Sequence, residues 1–151
     1  MFWEDENNIF SSYDSVDKLY EYAEDVICIL FQKPKSDTNN FEIKIAIDYV
    51  YAVLVMLCFK TDVGNASTLL VSIWDLDYYL NEFEETKEEY LYLREYGTEK
   101  ILIDKNCEKG LFDIIDDGYD YRSLCREIGF RFNAWINGET DLTDFSYVVR
   151  T

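Results

Sequence analysis

Residues 41–60, FEIKIAIDYVYAVLVMLCFK, decide what this chain can fold into. The segment opens with a clean alternation: Phe41, Ile43, Ile45 and Ile47 on one side, Glu42, Lys44 and Asp48 on the other. Alternation is a strand signal. No turn residue follows before Phe59, however. A strand over all of 41–59 would far exceed the usual length of about 5–6 residues. A buried helix capped near Asn39 or Asn40 fits better, and places Lys44, Asp48 and Tyr51 on one narrow polar stripe. The expected fold class is mainly α, a compact helical bundle around a buried central segment at 41–60. The alternative is α+β, with residues 41–59 as strands.

The flanking sequence supplies amphipathic partners. In residues 14–32, Leu19, Tyr22, Ala23, Val26, Ile29 and Leu30 recur on one helical face. Asp14 or Ser15 can cap that helix, and Pro34 with KSDTNN ends it. Residues 67–85 read as a helix capped by Ser67, with Leu69, Ile73, Leu76, Leu80 and Phe83 on one face. KEEYLYLREYG predicts a helix ending near Gly97. ILID at 101–104 is a short strand or loop, and EKGLFDIIDDG a short helix or turn. Residues 120–136 predict a helix with Leu124, Ile128, Phe132 and Trp135 inward and Gly138 as its stop. The tail from Asp141 adds a last turn or an edge strand. One Pro and six Gly leave no linker, so residues 1–151 read as a single acidic globular domain.

Charge is the second constraint. Thirty-one acids face 14 Lys and Arg, a net −17 without any histidine. Acidic chains are often disordered, but those are poor in aromatics. Here 13 Tyr, 10 Phe and 3 Trp predict a folded core and a negative, tyrosine-rich surface. So large an excess opposes compaction by self-repulsion, which points to a use for it. Residues 1–25 carry a net −7, residues 26–74 are neutral, residues 75–96 carry −6 and residues 104–127 carry −3. Acidic segments thus surround a neutral, apolar middle.

The densest run is Asp75 to Glu89, DLDYYLNEFEETKEE. With Leu76, Leu80 and Phe83 inward, Asp75, Asp77, Tyr78, Glu82, Glu85 and Glu89 lie toward solvent. The candidate partner-binding residues of the run are Asp75, Asp77, Tyr78, Tyr79, Glu82, Glu85, Glu88 and Glu89. A solvated acidic face is the plain alternative. Tyr and carboxylate together suit Arg and Lys on a partner, the ring accepting the cation and the carboxylate the guanidinium fork.

Catalytic readings find little support. Without histidine there is no Ser-His or Cys-His pair and no common general base. No P-loop, G-x-G-x-x-G or EF-hand is present. Asp75 and Asp77 are two apart and point to different sides of a helix. Asp113, Asp116, Asp117 and Asp120 suggest a carboxylate Mg²⁺ site, but an Asp-Gly turn explains them more simply. A carboxylate–metal enzyme stays a remote alternative; the expectation is a non-enzyme without cofactor or metal. Cys28 and Cys58 lie in apolar runs and read as core residues, while Cys107 and Cys125 lie in polar contexts that leave their redox state open. A reduced cytoplasmic chain is expected. The opening MFWEDENN predicts no signal peptide, and Tyr49 to Phe59 is too short to span a bilayer.

The charge and aromatic profile resembles that of small phage-encoded inhibitors of bacterial defence: DNA mimics, antirestriction proteins and anti-CRISPR proteins. It is also similar to immunity proteins that plug nuclease toxins. The resemblance lies in composition, and no motif carries a residue role across. It implies a basic protein partner, a nucleic-acid-binding protein or nuclease, with no direct binding of nucleic acid or membrane. Size agrees: a globule of this length is roughly 35–40 Å across, and duplex DNA carries roughly 20 charges over that distance.

Overall fold

The computed structural model describes residues 19–35, 40–60, 73–97, 110–116 and 121–138. Six helices make up the described fold: α1 (Leu19–Leu30), α2 (Phe41–Lys60), α3 (Ile73–Asn81), α4 (Phe83–Tyr96), α5 (Leu111–Asp116) and α6 (Tyr121–Ile136). No strand occurs among the described residues. The protein is mainly α, and the strand alternative for 41–59 is set aside.

α2 is the centre. Every side chain from Ile45 to Leu57 is buried, and each of the other five helices packs against it. A helix apolar on all sides has no stable place except inside a bundle. Its start follows from one residue. Asn40 Oδ1 accepts the backbone N–H groups of Glu42 at 2.8 Å and Ile43 at 3.4 Å, donors that the first turn cannot use itself. The alternation over 41–48 gives way because its partners are helices, and helical burial reaches all faces. The expected polar stripe does not survive packing. Lys44 is exposed, but Asp48 and Tyr51 are buried, and Tyr51 meets the edge of Tyr20 on α1 at 5.3 Å.

α1 lies along α2 and buries Leu19, Tyr22, Ala23, Val26, Ile29 and Leu30, the face read from its periodicity. The proposed caps Asp14 and Ser15 lie outside the described residues. Its end is a Schellman motif: Lys33 N–H donates to Cys28 O at 2.9 Å and Gln32 N–H to Ile29 O at 3.2 Å. Gln32 takes the left-handed conformation this requires, at φ 53. Pro34 then prevents continuation. Arg131 of α6 closes the same end, its Nη1 donating to Leu30 O at 2.8 Å with the guanidinium 4.6 Å from the Phe31 ring.

α5 is only one and a half turns long, too short to be stable alone. Phe112 anchors it. That ring is fully buried and packs on Tyr90 at 4.9 Å, Phe83 at 6.0 Å and Tyr49 at 6.5 Å. Such aromatic contacts each add roughly 0.5–1.5 kcal/mol beyond area burial. α6 turns Ile128, Phe132 and Trp135 inward, as its spacing predicts, leaves Leu124 half-buried, and stops at Gly138 at φ 70. The ILID run, Ser67, Leu69, Cys107 and the tail from Asp141 lie outside the described residues.

Candidate functional site

The helix predicted over 67–85 breaks at Glu82, so the acidic run lies on two helices joined at a corner. α3 ends at Asn81, Glu82 takes φ −114 and ψ 68, and α4 begins at Phe83. No Gly or Pro marks the break. Side chains satisfy two carbonyls that the α3 ladder leaves open, Thr86 Oγ1 donating to Tyr79 O and Tyr49 Oη to Leu80 O at 3.3 Å, and Asn81 Nδ2 also donates to Asp77 O at 2.8 Å. Thr86 N–H meanwhile bonds Glu82 O at 2.9 Å, starting the next ladder. Thr86 is fully buried, so the corner is locked from inside.

α6 holds the same corner from the other side. Gly129 lies against the last turn of α3, and a Cβ there would stand 2.6 Å from Leu80 O. Four residues on, Asn133 Nδ2 donates to Asp77 Oδ2 at 2.8 Å. The two helices therefore pass in opposite directions along a short, close seam.

This geometry divides the eight candidate residues. Asp75, Tyr78, Glu82 and Glu88 are exposed, while Glu85 and Glu89 are half-buried. Asp77 is a correction: its carboxylate is half-buried and takes Asn81 at Oδ1, 3.0 Å, besides Asn133 at Oδ2. It works as a joint between α3 and α6. Burial raises its pKa, although both amide hydrogen bonds pull the other way. Tyr79 is the second correction. It is buried with Ile73, Leu76 and Leu80 on the inward face of α3. Asp75 and Asp77 are thus divided between solvent and seam.

Across the corner, Tyr78 Oη donates to Glu85 Oε2 at 2.6 Å, and its ring stands edge-on to Tyr79 at 5.0 Å. The acceptance by Glu85, chiefly, pushes the Tyr78 pKa up to about 12. Four residues outside the predicted set extend the face. Glu84 is exposed and pairs with Arg122 of α6 at 2.9 Å. Tyr92 and Tyr96 are 63% and 73% exposed with ring centroids 5.4 Å apart, and Glu95 lies between them in sequence. Their spacing of four in KEEYLYLREYG already put both tyrosines on one helical face. Glu88, Glu89, Tyr92 and Leu93 line a groove of about 430 Å³ on this face.

No family model, curated protein or solved structure matches this chain. No group of three or more metal-ligating side chains converges among the described residues. Asp113 is exposed, and Asp117 and Asp120 lie outside the described residues. Cys28 and Cys125 are buried free thiols. Burial pushes the Cys28 pKa up to about 11 and that of Cys125 higher still, the reverse of what a reactive thiolate needs. The polar context of Cys125 in sequence does not reach its side chain, which α6 turns inward. No described helix is long and apolar enough to cross a membrane.

Proposed function

We propose that this protein is an acidic inhibitor that occupies the basic groove of a nucleic-acid-handling protein and competes with its nucleic acid. A defence enzyme of the CRISPR-effector or restriction type is the partner class. One observation carries the reading: α3, the corner and α4 expose Asp75, Glu82, Glu84, Glu88 and Glu95 as well as Tyr78, Tyr92 and Tyr96. Carboxylates and tyrosine rings on a locked corner suit the Arg and Lys side chains that such a groove offers to phosphates. Supports at buried Thr86 and half-buried Asn133 hold the corner before binding, which lowers the ordering cost on association.

The test is competition. A CRISPR effector or restriction enzyme from the native host is titrated with this protein in the presence of labelled target nucleic acid. Release of the nucleic acid, weakening steeply with added NaCl, is expected. Co-binding of protein and nucleic acid to the enzyme, or a salt-independent affinity, overturns the proposal. So does a shifted band when this protein alone is mixed with DNA or RNA at low salt.

A further inference from the structure

We infer that the groove on α4 seats an arginine side chain of the partner, flat against Tyr92 and forked to Glu88; the inference rests on the function proposed above. The four lining residues Glu88, Glu89, Tyr92 and Leu93 fall on one strip of α4, at spacings of three and four. Its walls are mainly carbon, and Glu88 adds an exposed carboxylate. Tyr92 is braced by Tyr96, so one ring face is held in place.

The chain itself shows what such a pairing accepts. Arg122 stands 5.3 Å from the Phe83 ring while it pairs with Glu84 at 2.9 Å. Arg131 stands 4.6 Å from the Phe31 ring while it pairs with Glu127 at 2.8 Å. In each case one guanidinium spans a ring and a carboxylate. Glu88 and Tyr92, one helical turn apart, repeat that combination, and among the described residues no cation spans them. Arg94, the nearest arginine in sequence, is turned to the Tyr90 ring at 6.0 Å.

Arginine suits the groove better than lysine for a physical reason. A guanidinium is planar and weakly hydrated, stacks on a ring and donates two parallel hydrogen bonds to one carboxylate. A lysine ammonium is compact and strongly hydrated, and gains little from apolar walls. An acidic face without a groove would attract both alike.

The experiment compares an oligo-arginine peptide with an oligo-lysine peptide of equal length, followed by amide NMR shifts at low salt. The arginine peptide is expected to bind more tightly and to move Glu88, Tyr92 and Leu93 first. Tyr92→Leu should weaken the arginine peptide roughly two- to fivefold and leave the lysine peptide unchanged, while Tyr92→Phe keeps the preference. Glu88→Gln should weaken the arginine peptide more than the lysine peptide. Both positions are exposed, and unchanged amide spectra of the free variants confirm folding. Equal binding of the two peptides, or shifts confined to Asp75 and Glu82, overturns the arginine seat and leaves the acidic-inhibitor reading standing. Binding of neither peptide at low salt overturns both.

Discussion

The carbonyl oxygen of Leu80 lies 2.6 Å from the point a Cβ on Gly129 would occupy, with Asn81 Oδ1 2.8 Å away. Gly129 sits in the middle of α6, where glycine costs a helix about 1 kcal/mol relative to alanine. Gly129→Ala should nonetheless destabilise the protein, by about 1–3 kcal/mol, because a backbone carbonyl has to move. Chemical denaturation measures it. A rise in stability would mean that helix propensity outweighs the seam.

The seam should also be sensitive to acid. Asn133→Asp sets a second carboxylate against Asp77 in place of an amide donor. At neutral pH this should cost about 1–3 kcal/mol. A like-charged pair raises the folded pKa of at least one member above its unfolded value, so the folded state binds the extra proton. Stability lost at pH 7 should therefore return as pH falls through the carboxylate range. Thermal melts of both proteins between neutral pH and about pH 4.5 check this; a constant difference would place the defect in packing alone.

Tyr49 gives the opposite end of the pH scale. Burial raises its pKa well above 10.0. The unfolded chain loses that proton first, so the stability present below about pH 10 is lost as pH rises beyond it. Tyr49→Phe should remove part of that alkaline loss. It should also cost about 0.5–1.5 kcal/mol at neutral pH, for the hydrogen bond to Leu80 O. Urea unfolding at neutral and alkaline pH separates the two effects.

Gln32 holds a left-handed conformation at φ 53 without the freedom of glycine. Gln32→Gly should stabilise the protein by up to about 1 kcal/mol, since the αL position at C′ favours glycine. A loss on substitution would show that the Gln32 side chain contributes more than its backbone costs. Thermal denaturation decides the sign.

Acid removal tests the outer face. Changing Asp75, Glu82 and Glu88 together to Ser should leave stability within about 0.5 kcal/mol, or raise it slightly by easing like-charge repulsion. Affinity for the basic partner should fall by several kcal/mol, because each lost carboxylate strands a cation across the interface. Glu4, Asp5 and Glu6 near the N-terminus form the control. If their loss matters more than that of Asp75, Glu82 and Glu88, the face is wrongly placed. Calorimetry with the partner reads both variants.

Much of the architecture is legible in the sequence. A largely apolar stretch of 20 residues without a turn, preceded by Asn40, favours a central helix over a strand by its length. Periodicity names the inward faces of α1 and α6, and composition along the chain locates the acid. Those features are local, and helix periodicity is a local rule. The corner at Glu82 is not local. It exists because Tyr49, 31 residues before Leu80, reaches its carbonyl, and because Asn133, 56 residues after Asp77, meets its carboxylate. Read by spacing alone, Asp77 belongs to a solvent-facing stripe. Tertiary packing draws it into the seam with α6, whereas Glu88 and Tyr92 share a face of α4 by helical spacing alone. A buried carbonyl or carboxylate needs a partner wherever the chain can supply one, and only the folded arrangement of helices fixes which side chain that is.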